Sequence, residues 1–307
     1  MKMIQFEELQ YQNYGKCLKV SNGKVAFIAT LDIGIRIISL AFEGGKNFFL
    51  EDLDRESSCA EAEEKFGAPW YIWGGHRIWQ SPEAKPRSYS SDHLPVAVTK
   101  LENGVRITAP QEQWTLAQKE IEITFDPKND CRLVVKNRVT NHGAWPYEFS
   151  VWALSVMAAG GVEIIPMNNK ETGLLGNRVL ALWPYTNMAD PRVTWGDKYI
   201  TLRQDPNATC PFKLGLNNER SWAAYFLNGD AFIKGYTHVD GETYPDFGVS
   251  YETYTGDLML EMESLSPLKL VDPEETVELV ETWTLVKDVK LPENEAEMKA
   301  FEDQFCG

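Results

Sequence analysis

The chain reads as an all-β protein, one large antiparallel β-sandwich with a short C-terminal helix. Three observations predict this. Short segments alternate apolar and polar side chains, or run rich in β-branched residues. Turn residues such as Asn22-Gly23, Asp126-Pro127 and Asn103-Gly104 punctuate those segments at short intervals. Helical periodicity is nearly absent outside the last residues, which argues for a sandwich or barrel and against βαβ units.

The elements follow in order. Residues 20–30 (VSNGKVAFIAT) hold Asn22-Gly23 between two apolar runs, a hairpin. Residues 32–42 (DIGIRIISLAF) read as a strand, and residues 97–110 (AVTKLENGVRITAP) as a hairpin about Asn103-Gly104. Residues 121–125 and 131–140 alternate with a period of two, and 147–157, 199–202, 221–227, 231–238, 257–263 and 276–286 continue the pattern. Residues 61–66 predict a turn of helix inside a loop. Residues 292–305 predict a longer helix: Pro292 suits a first turn, acids crowd the start, and Met298, Phe301 and Phe305 share a face. No low-complexity linker or fixed-period repeat divides the chain. The expected organisation is one β-sandwich domain over residues 1–290 and a helical tail over 291–307.

Composition narrows the partners. The chain has 307 residues and a net charge of −15, so phosphate backbones and anionic lipid surfaces are repelled. Nucleic-acid and membrane partners are therefore not expected. Cys17, Cys59, Cys131, Cys210 and Cys306 are scattered, odd in number and never spaced as CxxC. That pattern predicts reduced thiols, a cytoplasmic setting and no zinc site. The first residues lack the apolar core of a signal peptide, and no apolar run approaches a membrane span. No GxSxG, GxxxxGK[ST], HxH or HExxH occurs, so no cofactor and no metal are expected. Oligomeric state is not legible.

Two stretches can carry chemistry. Residues 69–83, PWYIWGGHRIWQSPE, pack three Trp, a Tyr, a Gly-Gly, a His and an Arg into one segment. Aromatic faces stack on the apolar face of a pyranose. Arg77 can fork two hydrogen bonds to vicinal hydroxyls, a carboxylate or a phosphate. The bland alternative makes Trp70, Trp73 and Trp79 core residues and Arg77 a structural ion pair. The second stretch is residues 256–267, GDLMLEMESLSP. Glu261 and Glu263 stand two apart on a strand and share a face, which leaves Leu260 and Met262 for the core. The pair supplies a general base if that face lines a cleft, or is a solvated sheet face if it does not. Of the four histidines, His142 sits in a turn, His93 in a loop and His238 at a strand end. His76 stands out because it neighbours Arg77.

These stretches resemble the galactose-mutarotase-like superfamily, which includes aldose 1-epimerases and hexose-6-phosphate epimerases, over roughly residues 15–288. GGHRIWQSPE resembles the Gly-Gly…Arg…Pro stretch of the hexose-6-phosphate epimerases, and the resemblance makes Arg77 a sugar-binding residue. LMLEMESLSP followed by VDPEETVELVETWTL resembles the family's Leu-Glu-Thr-Gln stretch and its Pro-Gly-Glu return strand, and places the catalytic base on Glu261. FSVWALS, residues 149–155, resembles the strand that ends Ala-Leu-His. There the chain departs: Ser155 stands where the family carries its acid histidine, with Trp152 just before it. Pro273-Glu274-Glu275 likewise replaces Pro-Gly-Glu. The pattern is closer to a branch with GGHR[IL]W near the front and Leu-Glu-x-Glu near the back. The implied fold is the galactose-mutarotase-like supersandwich.

Two functions are carried forward. One is an isomerase of the aldose 1-epimerase type, with Glu261 as base and His76 or His238 as acid. The other is a carbohydrate-binding protein without turnover. In either, Trp73, Arg77, Trp79, Trp152 and Glu263 are the expected substrate-binding residues, and the partner is a small-molecule carbohydrate. The criterion is geometric. If either histidine faces a sugar-sized space opposite Glu261, turnover is favoured; if neither does, binding is.

Overall fold

The computed structural model describes residues 3–55 and 57–306. Two large antiparallel sheets face one another across an apolar interior. The first runs, edge to edge, Gln5–Gln10, Lys16–Ser21, Val25–Thr30, Ile37–Phe42, Gly75–Ser81, Tyr147–Met157, Leu260–Leu265, Tyr251–Thr255, Phe212–Leu216 and Leu180–Leu182, with Lys269–Val271 also paired to Tyr147–Met157. The second runs Val193–Trp195, Tyr199–Arg203, Val162–Pro166, Trp222–Leu227, Asp230–Gly235, Thr276–Val286, Arg132–Asn141, Ala117–Phe125, Gly104–Thr108 and Ala97–Leu101. This is the all-β sandwich the alternation predicts.

Strand alternation decides which residues meet. From Tyr147–Met157, Phe149, Val151, Ala153 and Met157 enter the interior, while Trp152, Leu154 and Val156 pack in a separate cluster on the outer face of the same sheet. Interior packing centres on fully buried Trp283, edge-on to Phe49 at 5.5 Å, Phe232 at 5.9 Å and His76 at 4.7 Å between ring centroids. The hairpin at Asn22-Gly23 forms as expected. Gly23 takes φ 82°, and Asn22 Oδ1 accepts from the backbone N–H groups of Lys24 and Val25, both at 2.9 Å.

Several elements differ from the sequence reading. Gln5–Gln10, Val162–Pro166, Phe212–Leu216 and Tyr251–Thr255 are strands that pattern alone does not single out. Gly75–Ser81 is a central strand, buried on both faces. The C-terminal helix spans Glu295–Phe305 and starts after Pro292. Asn294 is its cap, and its side chain accepts from Glu297 N at 3.0 Å. Met298 and Phe301 seat the helix on the second sheet beside Tyr199, Trp222 and Phe226. No helix among the described residues is long and apolar enough to cross a membrane.

Candidate functional site

Five neighbouring strands of the first sheet build a cleft on its outer face: Gly75–Ser81, Tyr147–Met157, Leu260–Leu265, Tyr251–Thr255 and Phe212–Leu216. Register places their outward side chains. Trp79 stands across from Trp152, Arg77 from Leu154, Leu154 from Glu263, Glu263 from Glu252, Glu261 from Tyr254, and Tyr254 from Lys213. Arg77 and Glu261, 184 positions apart in the chain, meet at 3.0 Å. The short helix Ala60–Phe66 and the segment after Ser81 fold over this face, so the polar side chains are buried rather than solvated.

The cleft has an aromatic wall and a charged floor. Trp70, Trp79 and Tyr89 form a mutual cluster with ring centroids 5.1–5.3 Å apart, and Trp152 adjoins Trp79 at 5.4 Å. The Arg77 guanidinium lies 4.5 Å above the Trp79 ring. Lys213 Nζ sits 4.6 Å from both the Trp152 and Trp183 rings, 3.1 Å from Glu263 Oε2 and 2.8 Å from Glu252 Oε2. Trp152 Nε1 donates to Glu263 Oε2 at 2.8 Å. The open space is about 390 Å³, and Trp152, Trp183 and Lys213 also line a neighbouring recess of about 270 Å³ with Glu252 and Asp246. Such a size suits a small ligand. A smaller cavity of about 150 Å³ lies behind Arg77 and Trp79 under residues 90–94.

Burial shapes the charges. Desolvation alone would lower the Lys213 pKa, but Glu263 and Glu252 outweigh it and push it up, so the ammonium persists. Desolvation raises both Glu252 and Glu263, against the opposing pull of Lys213.

The expected site residues divide. Arg77, Trp79, Trp152 and Glu261 line the cleft, and Glu263 lies under its floor. Trp73 does not belong to it. The Gly74-Gly75 bend, with φ 92° and 69°, precedes the strand and takes Trp73 out of its alternation. Its ring packs with Tyr14, Tyr71 and the Arg55 guanidinium, 4.0 Å away. His76 is the second correction. It neighbours Arg77 on a strand and therefore points through the opposite face, into the interior. There Nδ1 meets Ser155 Oγ at 3.0 Å and Nε2 meets Asn137 Oδ1 at 2.9 Å. Burial lowers its pKa to about 4, so the ring is neutral. Ser155 faces the same way and accepts from Lys234 Nζ at 3.2 Å. The cleft positions on its strand are Trp152 and Leu154, and neither titrates. His238 lies outside the cleft lining, bonded to Ser250 Oγ at 2.8 Å and stacked on Tyr244 at 4.9 Å.

Lys213, Glu252, Trp183, Tyr254 and Tyr89 escaped the sequence reading. A signal existed for three of them. Lys213 interrupts the apolar run FKLGL, and Glu252 and Tyr254 alternate in YETYT. Trp183 and Tyr89 sit outside the sheets and carry no periodic mark.

No protein-family model matches the chain, and no curated protein matches it by sequence. Solved structures do. A candidate aldose 1-epimerase from Klebsiella pneumoniae superposes with a TM-score of 0.60 at 11% identity, over 99% of this chain and 87% of that one. A galactose mutarotase-like protein from Clostridium acetobutylicum gives 0.57 at 12% identity, over 94% of this chain and 100% of that one. The chain has the galactose mutarotase-like fold. A TPR-domain containing protein from Parabacteroides distasonis gives 0.58 at 14% identity over 91% of this chain, which spans only 49% of that larger protein. A galactose mutarotase-like sandwich with the cleft on its outer face is thus the frame in which the charged floor must be read. At these identities the likeness concerns the fold, and function must be argued from the site.

Proposed function

We propose that the cleft binds a small carbohydrate. One observation carries the reading: an indole-rich wall, Trp70, Trp79, Trp152 and Trp183, stands beside a floor of Arg77, Lys213 and Glu261 around a space of about 390 Å³. Indole faces cover the C–H face of a sugar, and fixed donors and acceptors at the rim read its hydroxyls. Arg77 is already matched by Glu261, and Lys213 by Glu252 and Glu263. Both floor cations are thus neutralised within the site, which supports an uncharged sugar over a sugar acid or sugar phosphate. The neighbours described as mutarotase-like or as a candidate aldose 1-epimerase support the carbohydrate reading. The scattered cysteines, odd in number and never spaced as CxxC, support a cytoplasmic setting.

Histidine-assisted epimerisation is the weaker reading. Neither His76 nor His238 lines the space beside Glu261, so by the geometric criterion binding leads and an isomerase would need a different acid.

The test is titration of free hexoses, hexose phosphates and hexuronates, followed by tryptophan fluorescence and thermal shift. A saturable change with a free hexose, lost in Trp183→Ala, is expected. If no sugar in the panel moves either signal, the carbohydrate reading is wrong.

A further inference from the structure

A side-chain cluster outside the cleft has no task in sugar binding. Glu219, His238 and Asp240 each offer one ligand atom, and those atoms lie within 4.8 Å of one another. Glu219 belongs to the turn between Phe212–Leu216 and Trp222–Leu227. His238 and Asp240 belong to the connection between Asp230–Gly235 and Tyr251–Thr255. No HxH or HExxH spacing marks the set, because the fold rather than the sequence joins the two turns. None of the three lines the cleft or its neighbouring recess.

Exposed acids often meet without consequence, and the imidazole sets this group apart. The His238 side chain is only 10% exposed. Its ring stacks on Tyr244 with centroids 4.9 Å apart, and Nδ1 lies 2.8 Å from Ser250 Oγ. Nε2 makes no hydrogen bond among the described residues and lies 3.8 Å from Asp240 Oδ1. With the ring proton on Nδ1, toward Ser250, the Nε2 lone pair is left for a metal, as where an outer oxygen orients a ligating imidazole. The backbone holds the other turn in place. Ser221 Oγ accepts from His238 N at 3.0 Å and donates to Glu219 O at 3.3 Å, and Asn168 Oδ1 accepts from Glu219 N at 2.9 Å. Crowded carboxylates elsewhere are matched: Glu120 and Glu122 meet Arg106, Lys136 and Arg138. Among the described residues no lysine or arginine pairs with Glu219 or Asp240, and Arg220 is taken by Glu302.

We propose that Glu219, His238 and Asp240 form a site for one divalent transition cation, of the zinc or manganese class, that ties the two turns together. One imidazole nitrogen and two carboxylate oxygens hold the ion, and water completes its shell. A mixed nitrogen and oxygen set suits these ions, whereas calcium and magnesium take oxygen shells. Metal–ligand bonds of about 2.0–2.2 Å put neighbouring ligand atoms about 3–3.6 Å apart, so the widest pair closes by about 1–2 Å. The Asp240 side chain, 77% exposed, is free to make that movement. The tied segment, residues 236–250, also carries Asp246 to the recess beside Trp152 and Trp183. The cation site itself stands whether or not the cleft holds a sugar.

The test strips the whole chain with EDTA and titrates it with zinc chloride and, separately, manganese chloride by calorimetry, counting bound metal after dialysis. Wild type should take up one equivalent of at least one of these ions. Asp240→Asn and Glu219→Gln should each lose about tenfold or more in affinity, the low end for removing even an outer-shell partner. His238→Gln should abolish uptake at the site. Should that variant not fold, Asp240→Asn reads the same site from a side chain 77% exposed. Amide hydrogen exchange over residues 236–249 should slow when wild type binds the ion. Failure to take up either ion overturns the proposal. So does uptake at wild-type affinity in both carboxylate variants, the pattern of a site elsewhere, such as exposed Cys210. Exchange over 236–249 that does not change on binding overturns the tie between the turns. None of these results bears on the sugar reading, whose own titration uses no metal.

Discussion

Replacing His76 with Gln should change how stability depends on pH. The ring is sealed between the sheets among Ser155, Asn137 and Trp283, and burial takes its pKa from 6.5 to about 4. Between those values the unfolded chain binds a proton at this position and the folded chain does not. The stability contribution is therefore intact above about pH 6.5 and lost as pH falls toward 4. At about 1.4 kcal/mol for each tenfold in proton affinity, the full loss is about 3 kcal/mol, and about 2 kcal/mol of it falls between pH 7 and pH 5. Glu163, buried in the same interior and bonded by the Tyr251 and Thr253 hydroxyls, acts in the opposite sense. Burial raises its pKa from 4.5 to about 8. Its contribution is intact below about pH 4.5 and lost as pH rises through 8, so moving from pH 7 to pH 5 restores about 2–3 kcal/mol. The two nearly cancel in the wild type and separate only in variants. Urea unfolding of wild type and His76→Gln at pH 7, 6 and 5 is the assay. The gap between the proteins should shift by about 2 kcal/mol in the variant's favour at pH 5. An unchanged gap would refute the argument that a neutral, sealed imidazole underlies the cleft floor.

Further outcomes follow from other contacts. Arg77→Met strands Glu261 as a buried carboxylate and should cost about 3–5 kcal/mol, with the Arg77→Met/Glu261→Met double variant recovering much of it in urea melts; a double variant no more stable than the single one refutes the pairing. Gly74→Ala places a Cβ 2.1 Å from Leu50 O at φ 92°, so backbone strain alone should cost about 1–3 kcal/mol, and an unchanged melting temperature would contradict the bend. Trp283→Ala removes the ring on which Phe49, Phe232 and His76 converge and should cost about 3–5 kcal/mol in the same melts; a loss under about 1 kcal/mol would place the interior's centre elsewhere.

Sequence by itself determined the architecture, because a period of two and well-placed turn residues are local properties. The segments 131–140, 147–157 and 276–286 show that period and lie as strands at Arg132–Asn141, Tyr147–Met157 and Thr276–Val286. Alternation also determined that Glu261 and Glu263 share a face while Leu260 and Met262 enter the core. Tertiary structure alone decided what that face meets. Glu261 meets an arginine 184 positions away, and Lys213 reaches Glu263 across the intervening Tyr251–Thr255 strand, contacts set by strand order rather than by neighbouring residues. It also decided His76. Adjacency to Arg77 in sequence means opposition on a strand, so the histidine that looked closest to the site belongs to the interior. Glu252 and Lys213 sit in ordinary alternating strands, and only burial beneath the loops that cover the sheet sets these charges apart from those on a solvated sheet face.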